Sequence, residues 1–181
     1  MIAGYCGSGK DLAADYLVKT HKFTKMAIAN ELKLLVAKKY NIDHNLTLTQ
    51  AGKKTIIDFP IFGKKTIREL LIEEAAFQKQ RMGPNIFINH LIDKIKINDV
   101  IYRDTHQENI VISDFRYANE FEQVYNTFAK VITIKLNRFD EPPINDISET
   151  QLDNFKFDFI IDNKKSIDDL YYNLDGIMYI V

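Results

Sequence analysis

Cysteine, arginine, glycine and proline are all scarce in this 181-residue chain, and each shortage narrows what it can be. A single cysteine, Cys6, excludes an internal disulfide and points to a reducing, cytoplasmic setting. Seven glycines and four prolines leave no low-complexity tract or linker, and no internal repeat is present. No apolar run approaches the ~20 residues of a membrane span, and no signal-peptide arrangement is expected ahead of residue 4. A formal net charge of -1 supplies no basic field, which argues against polymeric nucleic acid as a partner. His21, His44, His90 and His106 lack metal-ligand spacing, so neither a zinc site nor a nucleophilic triad is expected. The length suits one well-buried α/β domain and is too small for two.

What the chain does have is concentrated at its start. Gly4-Tyr5-Cys6-Gly7-Ser8-Gly9-Lys10 fits the pattern G-x-x-x-x-G-K of a phosphate-binding loop. Glycines let successive amides converge on a phosphate, Lys10 adds a point charge, and the helix that follows offers its positive end. Met1-Ile2-Ala3 is predicted to be a strand, and Asp11 to Thr20 a helix with Leu12, Ala13, Tyr16 and Leu17 on one face. The Ser or Thr that normally follows the lysine and holds Mg²⁺ is Asp11 here. With three residues ahead of Gly4, the first strand is either short or preceded by residues not in this chain.

Further along, Phe23 to Ala27 is predicted as a strand, then a helix capped by Asn30 and running to Tyr40 with Leu32, Leu35 and Val36 inward. Residues 41–65 read as a mobile, partly helical excursion whose lysine pairs, Lys53-Lys54 and Lys64-Lys65, suit a solvated surface. Thr66 and Glu69 form a capping box that opens a helix to Arg81, and after Gly83-Pro84 a stripe of Ile88, Leu91, Ile92 and Ile95 marks a buried helix. Asn109 to Ser113 is a strand-length apolar run ending in Asp114, the form of a Walker B strand. The next helix carries Phe121, Val124, Tyr125 and Phe128 on one face, and Val131 to Leu136 is a strand. Two capping signals, at Ser148 and Ser166, flank a strand at Phe157 to Ile161. Strands alternating with helices imply a parallel sheet covered on both faces, with ligands at the carboxyl ends of its strands.

Lysine dominates the 24 basic residues, and the arginines are only Arg68, Arg81, Arg103, Arg116 and Arg138. Arginine's planar fork suits phosphate oxygens, so each is a candidate ligand. Asp114 either holds Mg²⁺ through water, orients an acceptor, or caps the next helix. Asp11 either replaces the missing hydroxyl near Mg²⁺ or is a first-turn carboxylate. Glu120 either contacts a ligand or caps its own helix. Phe77, Phe87, Phe115 and Tyr117 are either base-stacking residues or core.

With these parts in place the chain resembles the phage and viral deoxynucleoside monophosphate kinases of the P-loop kinase superfamily. The resemblance is carried by Gly7-Ser8-Gly9-Lys10-Asp11; Phe23 to Ala29 with Leu32-Lys33; Thr66 to Leu71; Ser113 to Glu120; and Ser148-Glu149 ahead of Asp158 and Asn163. Leu12 and Asp146-Ile147 stand where the family usually has Thr and His. The resemblance implies a three-layer α/β/α, adenylate-kinase-like fold with a five-stranded parallel sheet: a core at 1–40 and 105–181, a helical monophosphate-binding excursion at about 41–104 and a short lid at about 138–150.

It also implies transfer of the γ-phosphoryl of ATP to a deoxynucleoside 5′-monophosphate with Mg²⁺. Gly4, Cys6, Gly7, Ser8, Gly9, Lys10, Asp11 and Arg138 would hold ATP, and Lys33, Arg68, Arg116 and Glu120 the acceptor. Lys10, Asp114, Arg116 and Arg138 would be catalytic, with Asp11 and Asp114 at the metal. The expected partners are small nucleotides, with no membrane, and a homodimer is compatible. The rival readings are a dephospho-coenzyme A kinase-like enzyme and a non-catalytic nucleotide-binding regulator.

Overall fold

The computed structural model describes residues 1–60, 63–101, 109–142 and 147–181. Arg103 and His106, and residues 143–146 of the expected lid, lie outside them. In chain order the elements are β1 (Ile2–Ala3), α1 (Lys10–His21), β2 (Thr24–Met26), α2 (Asn30–Tyr40), α3 (His44–Leu48), α4 (Gln50–Lys53), β3 (Ile56–Phe59) and β4 (Gly63–Thr66). Then come α5 (Ile67–Met82), α6 (Ile86–Ile101), β5 (Ile110–Ile112), α7 (Ala118–Tyr125), β6 (Ile134–Asn137), α8 (Ile147–Thr150), β7 (Phe159–Asp162) and α9 (Ile167–Ile180). They fall into two compact units, 1–28 with 91–181, and 29–90.

The larger unit is mixed α/β, and its strands are parallel. Ile2 registers with Ile134, and Ile134 with Phe159, giving the order β1-β6-β7; Thr24 to Met26 pair with Ile110 to Ile112 as a second ladder, β2-β5. A single five-stranded sheet was expected, and among the described residues no ladder joins these two. Two residues make β1, so it has few backbone groups to offer a second neighbour.

Strand side chains alternate in direction, and that alternation sorts the core. Ile2, Val111, Ile134, Leu136 and Ile161 pack on Ala13, Ala14 and Leu17 of α1 and on Leu170, Leu174 and Ile177 of α9. Ala3 points the other way and joins Phe115 and Leu152, around which Phe121, Phe155 and Phe157 gather edge to face. Helix α9 also clasps α1 from outside: Tyr16 stacks on Tyr171 with ring centroids 3.9 Å apart, and its hydroxyl donates to Asp175 at 2.8 Å. The Ser166–Asp169 capping box fixes where α9 begins. Because α1 starts at Lys10, this clasp positions the helix on which the loop ends.

In the unit 29–90 the Thr66–Glu69 capping box opens α5 as predicted. The stretch expected to be a loose excursion contains two short helices, capped by Asp43 and Thr49, and an antiparallel hairpin pairing Ile56 with Thr66 and Phe59 with Gly63. Its Ile-Ile-Asp-Phe strand lacks period-two alternation, which is why the sequence pattern hides it. Lys39 of α2 donates to the buried Glu74 of α5 at 2.6 Å, tying the two helices together.

Several local expectations shift. Ala29, not Asn30, is the N-cap of α2, and Leu35 is 36% exposed whereas Leu32 and Val36 are buried. Strand β6 ends at Asn137 and β7 at Asp162, one residue beyond prediction in each case, and they start three and two residues later. Helix α7 stops at Tyr125, which is exposed, so Phe128 lies beyond it. Ser148 sits inside α8 rather than capping a helix. The stripe Ile88, Leu91, Ile92 and Ile95 is buried as predicted.

Leu174 is wholly buried between α9 and the strands. Leu174→Ala is expected to lower unfolding free energy by about 2–5 kcal/mol, read from the urea midpoint at unchanged slope.

Candidate functional site

The loop from Gly4 to Lys10 turns through three left-handed glycines, Gly4, Gly7 and Gly9, with φ of 145°, 77° and 97°. Two of these positions admit no side chain for a second reason. A Cβ on Gly4 would lie 2.6 Å from the Leu136 carbonyl and from Ser8 Oγ, and one on Gly9 would lie 2.8 Å from Asn163 Nδ2. Gly9 is also the N-cap of α1. It places the unpaired first-turn amides and the positive end of that helix at the loop.

One ammonium organises the turn. Lys10 Nζ donates to the Gly4 carbonyl at 2.6 Å and the Tyr5 carbonyl at 2.8 Å, and the Ser8 amide closes on the Tyr5 carbonyl at 3.0 Å. Burial, and then the neighbouring charge of Arg116, lower the Lys10 pKa, partly offset by Glu149, Cys6 and Asp11. From behind, Asn163 at the end of β7 donates Nδ2 to the Ser8 carbonyl at 2.8 Å. Ser8 is fully buried, and among the described residues its hydroxyl has no hydrogen-bond partner. An orphaned buried hydroxyl in a glycine turn beside two cations suits an anionic oxygen.

Asp11 opens α1 directly after the loop, and Asp114 follows β5. Ser113 Oγ donates to Asp11 Oδ1 at 3.2 Å, bringing the end of β5 beside the start of α1. Asp11, 83% exposed, also pairs with Lys25 at 3.0 Å, and Lys25 reaches Asp15 at 2.9 Å. Burial alone would raise the Asp11 pKa, but the Lys25 hydrogen bond and charge, with help from Ser113 and Lys10, hold it below the ordinary value. Asp114 accepts the Ile28 amide at 2.8 Å. It does not cap the following helix, because Tyr117 is the N-cap of α7.

Arg116 leaves β5 toward the same place. Its Nη1 donates to Ser148 Oγ at 2.8 Å and to Glu149 Oε1 at 2.6 Å, while Glu149 Oε2 accepts the Cys6 amide at 2.5 Å. Glu120 accepts the Arg116 and Tyr117 amides at 2.8 and 3.0 Å, closing a capping box on α7. Arg138 follows β6, exposed, with its guanidinium 5.9 Å from the Phe139 ring, and that ring packs beside Gly7. The structure thus brings Gly4 to Asp11, Ser113, Arg116 and Arg138 to one end of the parallel strands. Phe87 and Phe115 are core, and Phe77 is half exposed.

Lys33 and Arg68 belong to the unit 29–90. Lys33 is half-buried on α2; Arg68, in the first turn of α5, donates Nη2 to Gln50 Oε1 at 2.5 Å. Sequence reasoning gave no loop-holding role to Glu149 and Asn163, and none to Lys25, which holds Asp11. The first two stood in the family-like segment around Ser148 to Asn163, so the signal was present without a contact to attach it to.

No family model matches the chain. Over 182 aligned residues, covering 94% of this chain and 90% of the other, it is 28% identical to a protein of Acanthamoeba polyphaga mimivirus named "Putative deoxynucleotide monophosphate kinase". The chain resembles a viral deoxynucleotide monophosphate kinase. That similarity runs nearly end to end in both chains. Among the described residues no helix is long and apolar enough to cross a membrane.

The Asp11–Lys25 pair gives a signed pH prediction. Asp11 is depressed, so its contribution is complete above about pH 4 and is lost as pH falls through its folded pKa. Lys25 is raised, because its bonds to Asp15 and Asp11 outweigh burial, so its contribution is complete below about pH 10 and is lost as pH rises through its folded pKa. The stability difference between wild type and Lys25→Met, from urea midpoints, should therefore be flat between those limits and shrink outside them. A difference independent of pH would show that the pair is not coupled by charge.

Proposed function

We propose that this chain transfers the γ-phosphoryl of ATP to a deoxynucleoside 5′-monophosphate, giving the diphosphate. The observation that carries the reading is the glycine turn gathered by Lys10 with Arg116 held alongside it, two cations and a buried unpaired hydroxyl meeting at one helix start. The mimivirus relative's name supports the same class of reaction. In this reading the β1-β6-β7 and β2-β5 ladders are parts of one five-stranded P-loop sheet, which agrees with α1 packing on strands of both.

Phosphoryl transfer between nucleotides needs little covalent help, since the acceptor phosphate oxygen is already a nucleophile. Catalysis is then positioning and neutralisation of charge. Lys10 and the amides of Gly7, Ser8 and Gly9 hold the β- and γ-phosphates, and Cys6 contributes as a small residue in the turn. Arg138 lies on the donor side beside Gly7. Arg116 bridges toward the acceptor phosphate, and Glu120 serves by fixing the Arg116 backbone. Lys33 and Arg68 are assigned to the acceptor on the resemblance to the deoxynucleoside monophosphate kinases.

Mg²⁺ fits the residues present. It is usually held by one or two carboxylates with substrate phosphates and water; Asp11, hydrogen-bonded to Ser113, and Asp114, the next residue along, would be those carboxylates. When bound it would neutralise charge on the transferring phosphate. Asp11 would have to leave Lys25 to reach it, which its exposure permits.

Incubation with ATP, Mg²⁺ and a panel of dAMP, dCMP, dGMP and dTMP should yield at least one diphosphate by chromatography. Lys10→Ala should fold but lose about a hundredfold or more in kcat. Arg68→Lys and Arg116→Lys should weaken the monophosphate while sparing ATP, since each keeps charge but loses its fork. No turnover on the panel, alongside phosphorylation of dephospho-coenzyme A, would overturn the assignment.

A further inference from the structure

Arg116 is assigned a role above, but the carboxylate that holds it is not. Glu149 lies in α8 with its side chain 3% exposed, and it divides its oxygens between two separate parts of the site, the Cys6 amide and Arg116 Nη1. A buried carboxylate carries a desolvation penalty that its hydrogen bonds must offset, and a well-packed apolar side chain would hold α8 with less cost. The pattern of donors is selective. Nη1 has two N–H groups, and Ser148 and Glu149 take both. Among the described residues Nε and Nη2 of Arg116 have no partner, so three donors of a 37% exposed fork remain for another anion. The guanidinium is therefore anchored by one corner and open along the rest.

Charge points the same way. The charge of Arg116 disfavours that of Lys10, and Glu149 opposes this while pairing with Arg116. Its contact with the Cys6 amide also ties α8 to the loop, so the loop and the guanidinium share one anchor.

We propose that Glu149 is a positioning residue for phosphoryl transfer: it fixes Arg116 beside the loop with Nε and Nη2 presented to the acceptor's phosphate. This rests on the kinase reading given above. Wild-type protein, Glu149→Gln, Glu149→Asp, Ser148→Ala, Arg116→Lys and the Glu149→Gln/Arg116→Lys double variant are assayed with ATP, Mg²⁺ and the four deoxynucleoside monophosphates. Glu149→Gln should lower kcat/KM for the monophosphate by about tenfold or more, the scale of a lost hydrogen bond to a charged group, and raise its KM more than that of ATP. Glu149→Asp, which keeps the charge, should recover part of the loss. In the Arg116→Lys background the same Gln change should cost less than about threefold, because the group it acts through is already gone.

An unchanged kcat/KM in Glu149→Gln, or an equal loss in both backgrounds, overturns the positioning role. If melting shows that Glu149→Gln does not fold, Ser148→Ala carries the test, since it removes one acceptor from the same nitrogen; an unchanged monophosphate KM there overturns the role as well. Wild type without turnover on the panel overturns the kinase reading itself, whereas an active wild type with an indifferent Glu149→Gln overturns only this inference.

Discussion

The candidate site depends on a single ammonium gathering the carbonyls of a seven-residue turn. Lys10 reaches back to Gly4 and Tyr5, and the path that lets it do so needs left-handed backbone at Gly4, Gly7 and Gly9. Everything around the turn is consistent with holding that path. Leu136 and Asn163 crowd it where a side chain would otherwise sit, and the α9 clasp fixes the helix on which it ends. The chain places its least tolerant backbone where a β-strand meets a helix start, the geometry that favours an anion.

Around the turn the charges are mutually balanced. Lys10 and Arg116 face Glu149, and Lys25 faces Asp11 and Asp15. The pairs at its rim involve exposed carboxylates and are individually weak, so they can exchange. Only Glu149 is deeply buried, which makes it the fixed point, while Asp11 and Lys25 can trade partners at small cost.

Much of this was legible in the sequence, for reasons that differ by element. The loop could be read because its residue order answers a demand of local geometry that few other structures make. The Thr66 and Ser166 capping boxes and the α6 stripe could be read because they are periodic or contiguous signals. The β3–β4 hairpin could not, since Ile56 and Phe59 do not alternate with polar residues at period two, and neither could the break between ladders, which comes from β1 being two residues long. Ser148 to Gln151 looked like a cap because Gln stands three residues after Ser, the spacing of a capping box. The partner of Ser148 and Glu149, Arg116, is 33 residues from Glu149 in sequence, and long-range pairs leave no local trace. Glu120 shows the converse, where the local reading of a cap matched its two amide contacts.

The central claim is that residues 4–10 form a phosphate cradle, and backbone amide spectroscopy tests it most directly. On titration of ¹⁵N-labelled protein with ATP and Mg²⁺, the amides of Gly7, Ser8, Gly9 and Lys10 should show the largest shifts, and Lys10→Ala should abolish them. Saturable ATP binding whose largest shifts fall elsewhere, with these four amides unmoved, would contradict the account.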